Sequence, residues 1–479
     1  MNSFIDKYIS TTIENIKNSR TLVLFMWWSL FSFAVSFSSW VNHGYTGPRS
    51  GLPCWPHFLN CKDIFPLEIL PYGYGETTFY AILLALIAYG AYSLYNKNYL
   101  NAYFAILVLW FWKVFVISVT YGLGNFDYYD VVLIFVFLFF TKKLDYLRFV
   151  FVLLYFIAAT IKISTGWIDG TYFTALQTGL PLFPNLLSPF FTNVVIFMQI
   201  VGAWFLFSKN KYLYNTALYY FIFFHLYSTI LVGYRYPLTA LLTLIVLFGI
   251  DDRKTNFQDL RPKIKDAFNW LVIFSLLCLQ FIGIIIVGNQ KVTLEGNNYG
   301  LYMFEANHQC ISRYNYENKN VVTSSADARN RCDPYIYLQE VKKICKITKE
   351  KVLWTFDHSI NGESMYRIVD EKDACLLVYR PFVHNEWINI KNPTHISEVN
   401  KNIYDLSGVN KSKEVFTKIE NGKIHKGNSY LENASPVTKT KLQDYIYKNS
   451  KKVISAYWFL WICTGLLILY FIFRNKKIT

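Results

Sequence analysis

The stretch "YFIAATIKISTGWIDGTY", residues 155–172, is apolar over its first seven positions except for Thr160, and then places Lys162 at the end of the run. Thr165, Gly166 and Trp167 follow, then Asp169 and Gly170. A lysine of ordinary basicity is protonated in water and cannot take up a proton. Burial in apolar surroundings disfavours the ammonium, so a lysine under an aromatic lid can serve as a general base toward a hydrophobic substrate. The competing reading is an anchor that extends its charged end to the lipid headgroups. The next segment, "STGWIDGTYFTALQTGLPLFPNLLSPFF", is unusual for a loop. It carries Trp167, Tyr172 and Phe173 and two proline punctuations, and it is expected to lie along a membrane surface and roof a pocket open to lipid.

Other ionisable groups sit in or beside apolar runs, where each is costly and therefore a candidate. Lys113 lies in "LVLWFWKVFVIS", flanked by Trp110, Trp112 and Phe115. It either pairs with a carboxylate from another helix or does chemistry. His225, in "FIFFHLYST", is either a core hydrogen-bonder or a ligand. Glu76, Asp127, Asp130 and Arg235 fall at the outer ends of spans, and Arg235 either anchors a helix end or holds an anionic group. The chain has no P-loop, GxGxxG, HExxH or GxSxG pattern and no CxxC pair, so neither nucleotide chemistry nor a bound metal is expected.

These residues need a scaffold, and the composition names it. Of 479 residues, 53% are hydrophobic, 19% aromatic and 16% charged. The apolar residues fall in runs near the roughly 17–25 residues needed to cross a bilayer. About ten spans are expected, near 21–41, 77–95, 101–119, 129–141, 147–163, 191–207, 213–232, 237–250, 269–288 and 454–473. The N-terminal twenty residues are polar and amphipathic, and the first apolar run reads as a signal-anchor rather than a cleaved leader. The net charge of +15 sits largely in short loops. "NIKNSR", "NKN", "KKLDYLR", "KNK", "DDRK" and "RNKK" all fall on one face of this arrangement, which is therefore the cytoplasmic face with both termini. The positive excess is assigned to topology and membrane lipid, and no nucleic-acid partner is expected.

The opposite face receives the long segment 289–453. Runs such as "KVLWTF" and "CLLVYR", with the turn "INGES", read as strands, and a helix is expected to begin at Asp333-Pro334. The expected organisation is a cytoplasmic N-terminus over 1–20, a transmembrane domain over 21–288 and an extracytoplasmic domain over 289–391. A polar linker over 392–453 and a final span with its cytoplasmic end over 454–479 complete it. The fold class is an α-helical multi-pass membrane bundle with an inserted α+β, β-rich, sandwich-like domain. Six cysteines fall on the outer face: Cys54, Cys61, Cys310, Cys332, Cys345 and Cys375. An even count in an oxidising compartment, periplasm or lumen, points to disulfides. Cys54–Cys61 would close a short loop, and the other four allow three pairings.

Taken in order, these segments resemble the vitamin K-dependent gamma-carboxylases and the related bacterial proteins with the HTTM membrane domain. "YFIAATIKISTGWIDG" resembles the family's lysine segment, with Trp167 and Gly170 at similar spacing. "LFPNLLSPFF", "YYFIFFHLYS", "YGLYMFEANH" and "VLWTFDHSINGESMYRIVD" resemble further segments, the last including Ser359-Ile360-Asn361. The resemblance implies that Lys162 deprotonates vitamin K hydroquinone or a related lipid quinol. Oxygen then converts the quinol to its epoxide, and the base generated on the way removes a glutamate γ proton before carbon dioxide adds. It implies that Trp167, Gly170, His225, Asn125, Tyr121 and Arg235 shape the quinone pocket, and that Ser359 and Asn361 meet a secreted protein or peptide substrate. The family's Asn-His pair is replaced here by Asn125 followed by Phe126-Asp127, so the polar support near the lysine is altered. A non-enzymatic membrane factor that assembles or matures a secreted peptide is the alternative. A transporter is the weaker third class, for no inverted repeat or paired helix break is visible.

Overall fold

Runs that are apolar on every side build the longest helices. The computed structural model describes residues 2–42, 54–56, 74–119, 121, 126–174, 180–232, 235–250, 257–286, 290–302, 306–317, 319–325, 332–348, 350–361, 366–389, 394–395, 415–420, 423–428 and 439–474. Its helices, in chain order, are α1 Asn2–Lys17, α2 Arg20–Asn42, α3 Tyr74–Tyr95, α4 Tyr99–Val119, α5 Phe126–Phe139, α6 Lys143–Lys162, α7 Thr165–Ile168, α8 Thr171–Thr174, α9 Ser188–Ile200, α10 Lys211–Val232, α11 Arg235–Leu244, α12 Ala267–Ile285, α13 Gln290–Thr293, α14 Pro334–Thr348 and α15 Lys441–Phe473.

Among the described residues, six stretches are long and apolar enough to cross a membrane: Arg20–Ser38, Thr77–Tyr95, Tyr99–Val119, Lys143–Lys162, Ala267–Ile285 and Lys441–Phe473. The other expected spans meet that standard only in part. The runs near 191–207 and 237–250 correspond to the shorter apolar helices Asn185–Ile200 and Arg235–Gly249. The run near 129–141 becomes the 14-residue α5. The run near 213–232 becomes α10, whose apolar length is diluted by Asn215, Thr216, His225, Ser228 and Thr229. The last helix begins at Lys441, so the end of the segment expected as a linker supplies its first turns.

The chain forms two compact units, and their boundaries fall within α6, α9, α12 and α15. The first comprises Met1–Ile157, Phe197–Leu276 and Leu460–Thr479. Its core is aromatic and aliphatic, including Phe25, Phe33, Leu109, Phe137 and Leu247. Several of its buried polar groups are paired, which offsets the cost of placing them in a low-dielectric bundle. Arg148 donates from Nε to the Leu247 carbonyl at 2.7 Å, and the Trp28 indole donates to the Thr239 carbonyl at 3.0 Å. Lys113 does pair with carboxylates from a neighbouring helix, Asp127 at 2.6 Å and Asp130 at 3.2 Å.

The second unit comprises Ala158–Ile196 and Leu277–Phe459. Its centre is an antiparallel sheet of β1 His308–Tyr316, β2 Lys319–Ser325, β3 Leu353–Ile360, β4 Tyr366–Glu371 and β5 Thr394–His395, in the order β2-β1-β3-β4-β5. Alternation sets its faces. His308, Cys310, Ser312 and Tyr314 of β1 are buried at every second position, and they oppose Ile360, His358, Phe356 and Trp354 of β3. Tyr337, Leu338 and Val341 of α14 join that core. The helix begins at Pro334, with the Asp333 carboxylate accepting from Tyr335 N at 2.9 Å. Among the described residues the arrangement is helix on sheet, with the amphipathic α14 against the apolar face, and the expected sandwich is not seen there. β6 Val415–Glu420 and β7 Lys423–Asn428 form a separate antiparallel pair within the segment expected as a linker. Disulfides join Cys310 to Cys332 and Cys345 to Cys375, deciding among the three open pairings. Cys54 is also disulfide-bonded, while Cys61 lies outside the described residues.

Candidate functional site

The site begins where α6 stops. Lys162 is its last residue, and the chain turns at once, with Ser164 N donating to the Lys162 carbonyl at 2.8 Å. Two one-turn helices follow. Between them Gly170 takes a φ of +76°, and a Cβ there would meet Pro189 N at 2.7 Å, so only glycine fits. Asp169 braces the same corner, accepting from Thr171 N at 2.9 Å and from its hydroxyl at 2.7 Å. The reversal folds Trp167 onto Tyr172, stacked at 4.8 Å, with Phe173 edge-on to Trp167 at 5.6 Å.

Lys162 is 6% exposed. Its Nζ lies 5.3 Å from the Trp167 ring centroid and donates to the Ala158 carbonyl at 3.2 Å. A tryptophan face and a carbonyl are both attractive to a cation, and their worth grows where water is excluded.

The end of the sheet grips this turn. Asn361, just past β3, and Asn307, just before β1, bond reciprocally. Asn361 N donates to the Asn307 carbonyl at 2.9 Å, and Asn307 N donates to Asn361 Oδ1 at 2.9 Å. Asn361 has a φ of +52°, a left-handed conformation that asparagine tolerates better than most residues. The Asn307 amide donates to the Tyr172 carbonyl. The Asn361 amide lies against Gly166, where an added Cβ would meet Asn361 Cγ at 2.8 Å. Two further groups tie the helix end. Lys291 Nζ donates to the Ile161 carbonyl at 3.2 Å. Gln280 donates to the Thr160 hydroxyl at 3.1 Å while accepting from Leu301 N at 2.8 Å.

A histidine pair lies in the adjoining sheet. His358 Nδ1 is 2.8 Å from the Val292 carbonyl, and its Nε2 is 3.1 Å from His308 Nδ1. A carbonyl only accepts, so His358 Nδ1 carries the hydrogen, and neutral His358 accepts from His308 Nδ1–H. Burial first, and His308 second, push His358 down to about 3, against the opposing hydrogen bond to Val292. On the other face of the sheet the buried Asp357 is held by Arg313 and by Arg367, the latter at 2.9 Å.

Lys162, Trp167, Gly170, Ser359 and Asn361 thus fall in one unit, with Lys162, Trp167 and Asn361 around a single turn. Ser359 is buried opposite Gln309 in the β1–β3 pairing. Tyr121, His225 and Arg235 belong to the other unit. There His225 Nε2 meets the Tyr155 hydroxyl at 2.5 Å. Tyr121 packs edge-on against Trp55 at 5.1 Å, and Arg235 begins α11. Asn125 lies outside the described residues. Sequence reasoning passed over Gly166, Asn307, His308 and His358. The available signal was Asn307-His308 and the run His358 through Asn361, which carry polar residues to the facing ends of two paired strands.

No protein-family model, no curated protein and no solved structure matches the chain.

Proposed function

We propose that the chain is a multi-pass membrane enzyme resembling the vitamin K-dependent gamma-carboxylases. In this reading it oxidises a lipid quinol with Lys162 as the base and couples this to carboxylation of glutamate in a secreted protein. One observation carries the reading: a lysine amine, 6% exposed, lies 5.3 Å from the centroid of a tryptophan stacked on a tyrosine. The proposal takes about ten crossings, with the basic loops on the cytoplasmic side and the disulfide-bearing domain in an oxidising compartment.

The residues suit a flat apolar ring bearing a hydroxyl. Trp167, Tyr172 and Phe173 offer aromatic surface, and Lys162 offers a single polar atom. When bound, a lipid quinol supplies the electrons for reducing oxygen. Lys162 in its neutral form takes a hydroxyl proton at Nζ. The Ala158 carbonyl and the Trp167 face are then partners for the ammonium so formed. Trp167 and Tyr172 orient the ring and keep water from the amine. Asn307 and Asn361 act by positioning, since their amides are committed to the turn that carries both rings.

The test is a quinol epoxidation assay on the purified full chain, with and without a glutamate peptide and bicarbonate. Oxygen-dependent epoxide formation is expected, and Lys162→Ala should abolish it while the protein stays folded. Unchanged turnover in that variant overturns the assignment of the base. A stably co-purifying peptide without any quinone or turnover overturns the enzyme reading in favour of a maturation factor.

A further inference from the structure

A second buried polar cluster lies in the first unit. Three helices build it. Ser32 and Ser36, one turn apart on α2, meet Lys113 of α4 and Asp127 and Asp130 of α5. Lys113 is 0% exposed, Asp127 2% and Asp130 0%, and both serines are 0% exposed.

The ammonium has three hydrogens and three neighbours to receive them: Asp127 Oδ1 at 2.6 Å, Ser36 Oγ at 2.8 Å and Asp130 Oδ2 at 3.2 Å. Ser36 in turn donates to Asp127 Oδ1. That leaves Asp130 Oδ1, which is buried and has no hydrogen-bond partner among the described residues. The buried Ser32 hydroxyl lies within hydrogen-bonding reach of the Asp130 carboxyl, although neither Ser32 Oγ nor Asp130 Oδ1 is in full hydrogen-bond geometry. α11, also packed on α5, presents Tyr236 to Tyr129 at 5.5 Å between ring centroids. Lys113 is the cation in ion-pair contact with Asp130 among the described residues.

Lys113 is thus shared between two carboxylates and lies closer to Asp127. A carboxylate oxygen left bare in an apolar interior is among the costliest groups a fold can bury. A hydrogen on Asp130 Oδ1 removes the charge and gives the oxygen something to donate, with Ser32 Oγ beside it to accept. We propose that Asp130 carries a bound proton, so that Asp130 and Ser32, set against the Lys113–Asp127 pair, form a proton-binding site inside the helix bundle. The ligand is one proton per chain, taken up or released as the charge around Asp130 changes. This inference is independent of the Lys162 reading.

Infrared spectroscopy of the purified full chain in lipid nanodiscs tests it. At neutral pH the spectrum should contain the carbonyl stretch of one protonated carboxylic acid that moves to lower frequency in D2O. Asp130→Asn should remove that band. Ser32→Ala, which deletes the proposed acceptor but no charge, should keep the band and move it to higher frequency. If Asp130→Asn does not fold, the Ser32→Ala shift decides alone. Absence of the band in the wild type, its persistence in Asp130→Asn, or a band unmoved in Ser32→Ala overturns the proposal. Stoichiometric bound sodium or potassium with no acid band does so as well.

Discussion

The side-chain amide of Asn361 lies against the Cα of Gly166, while its Oδ1 accepts from the Asn307 backbone at 2.9 Å. The residue that ends a strand of the sheet therefore packs directly onto the turn that follows Lys162. Gly166 is glycine because that contact leaves no room for a methyl group.

Gly166→Ala should lower stability by about 1–3 kcal/mol, the usual cost of overpacking a rigid site. Asn361 cannot simply swing away, since its Oδ1 is held. Asn361→Gly suits the left-handed φ of +52° and opens the space. The alanine should therefore cost less in the Asn361→Gly background than alone. Thermal unfolding of the four proteins in one detergent gives the coupling, and additive effects would show that the contact is unimportant.

Trp167→Ala should reduce quinol turnover more than Trp167→Phe. A cation–π contact in a desolvated site is worth about 0.5–2 kcal/mol, or roughly a 2- to 30-fold change in rate if it holds the protonated lysine. Steady-state rates for the two variants, compared at saturating quinol, separate this from loss of binding. Equal rates for both variants and the wild type would remove Trp167 from the site.

Buried His358 should make stability depend on pH. His358 is held near 3 in the fold against an ordinary value of 6.5. Below 6.5 the unfolded chain binds a proton that the folded one refuses, so stability is full above that pH and is lost as pH falls toward 3. The slope is about 1.4 kcal/mol per pH unit for one such group. His358→Gln should flatten this part of the profile, measured by chemical denaturation between neutral and mildly acidic pH. An unchanged slope would mean that another group sets it.

Each disulfide of the second unit should matter by a similar amount. Cys310–Cys332 and Cys345–Cys375 close loops with sequence separations of 22 and 30. Loop-closure entropy predicts about 3–4 kcal/mol for each. Cys345→Ser with Cys375→Ser should lower the denaturation midpoint of the domain without changing the fold of α14. A loss below about 1 kcal/mol would show that the unfolded chain is already constrained.

Some of this was legible in the sequence because the physics is local. Apolar runs make helices long enough to span, whatever packs beside them, and the run "KVLWTF" marked β3, whereas "CLLVYR" forms a short 3-10 turn and extended chain rather than a strand. The start of α14 followed from Asp333-Pro334, where proline fits the first turn and the aspartate caps it. Trp167 could be placed near Lys162 because only one short turn separates them. The number of spans was harder. Whether α10 and the pieces around α9 and α11 cross a membrane depends on neighbours that cover their polar residues.

Taken alone, the sequence marked the apolar helices long enough to cross a membrane, the break at Lys162, a separate cysteine-bearing segment and Lys113 as a buried charge in want of a partner. Each follows from the cost of exposing apolar surface or burying charge, which composition and periodicity report directly. Only the tertiary structure decided that Asp127 and Asp130 share Lys113, which cysteines join, and that Asn361 closes on Gly166. Those outcomes depend on the rotation of one helix against another and on strand register. Both are set by packing between residues far apart in the chain, and no local pattern encodes them.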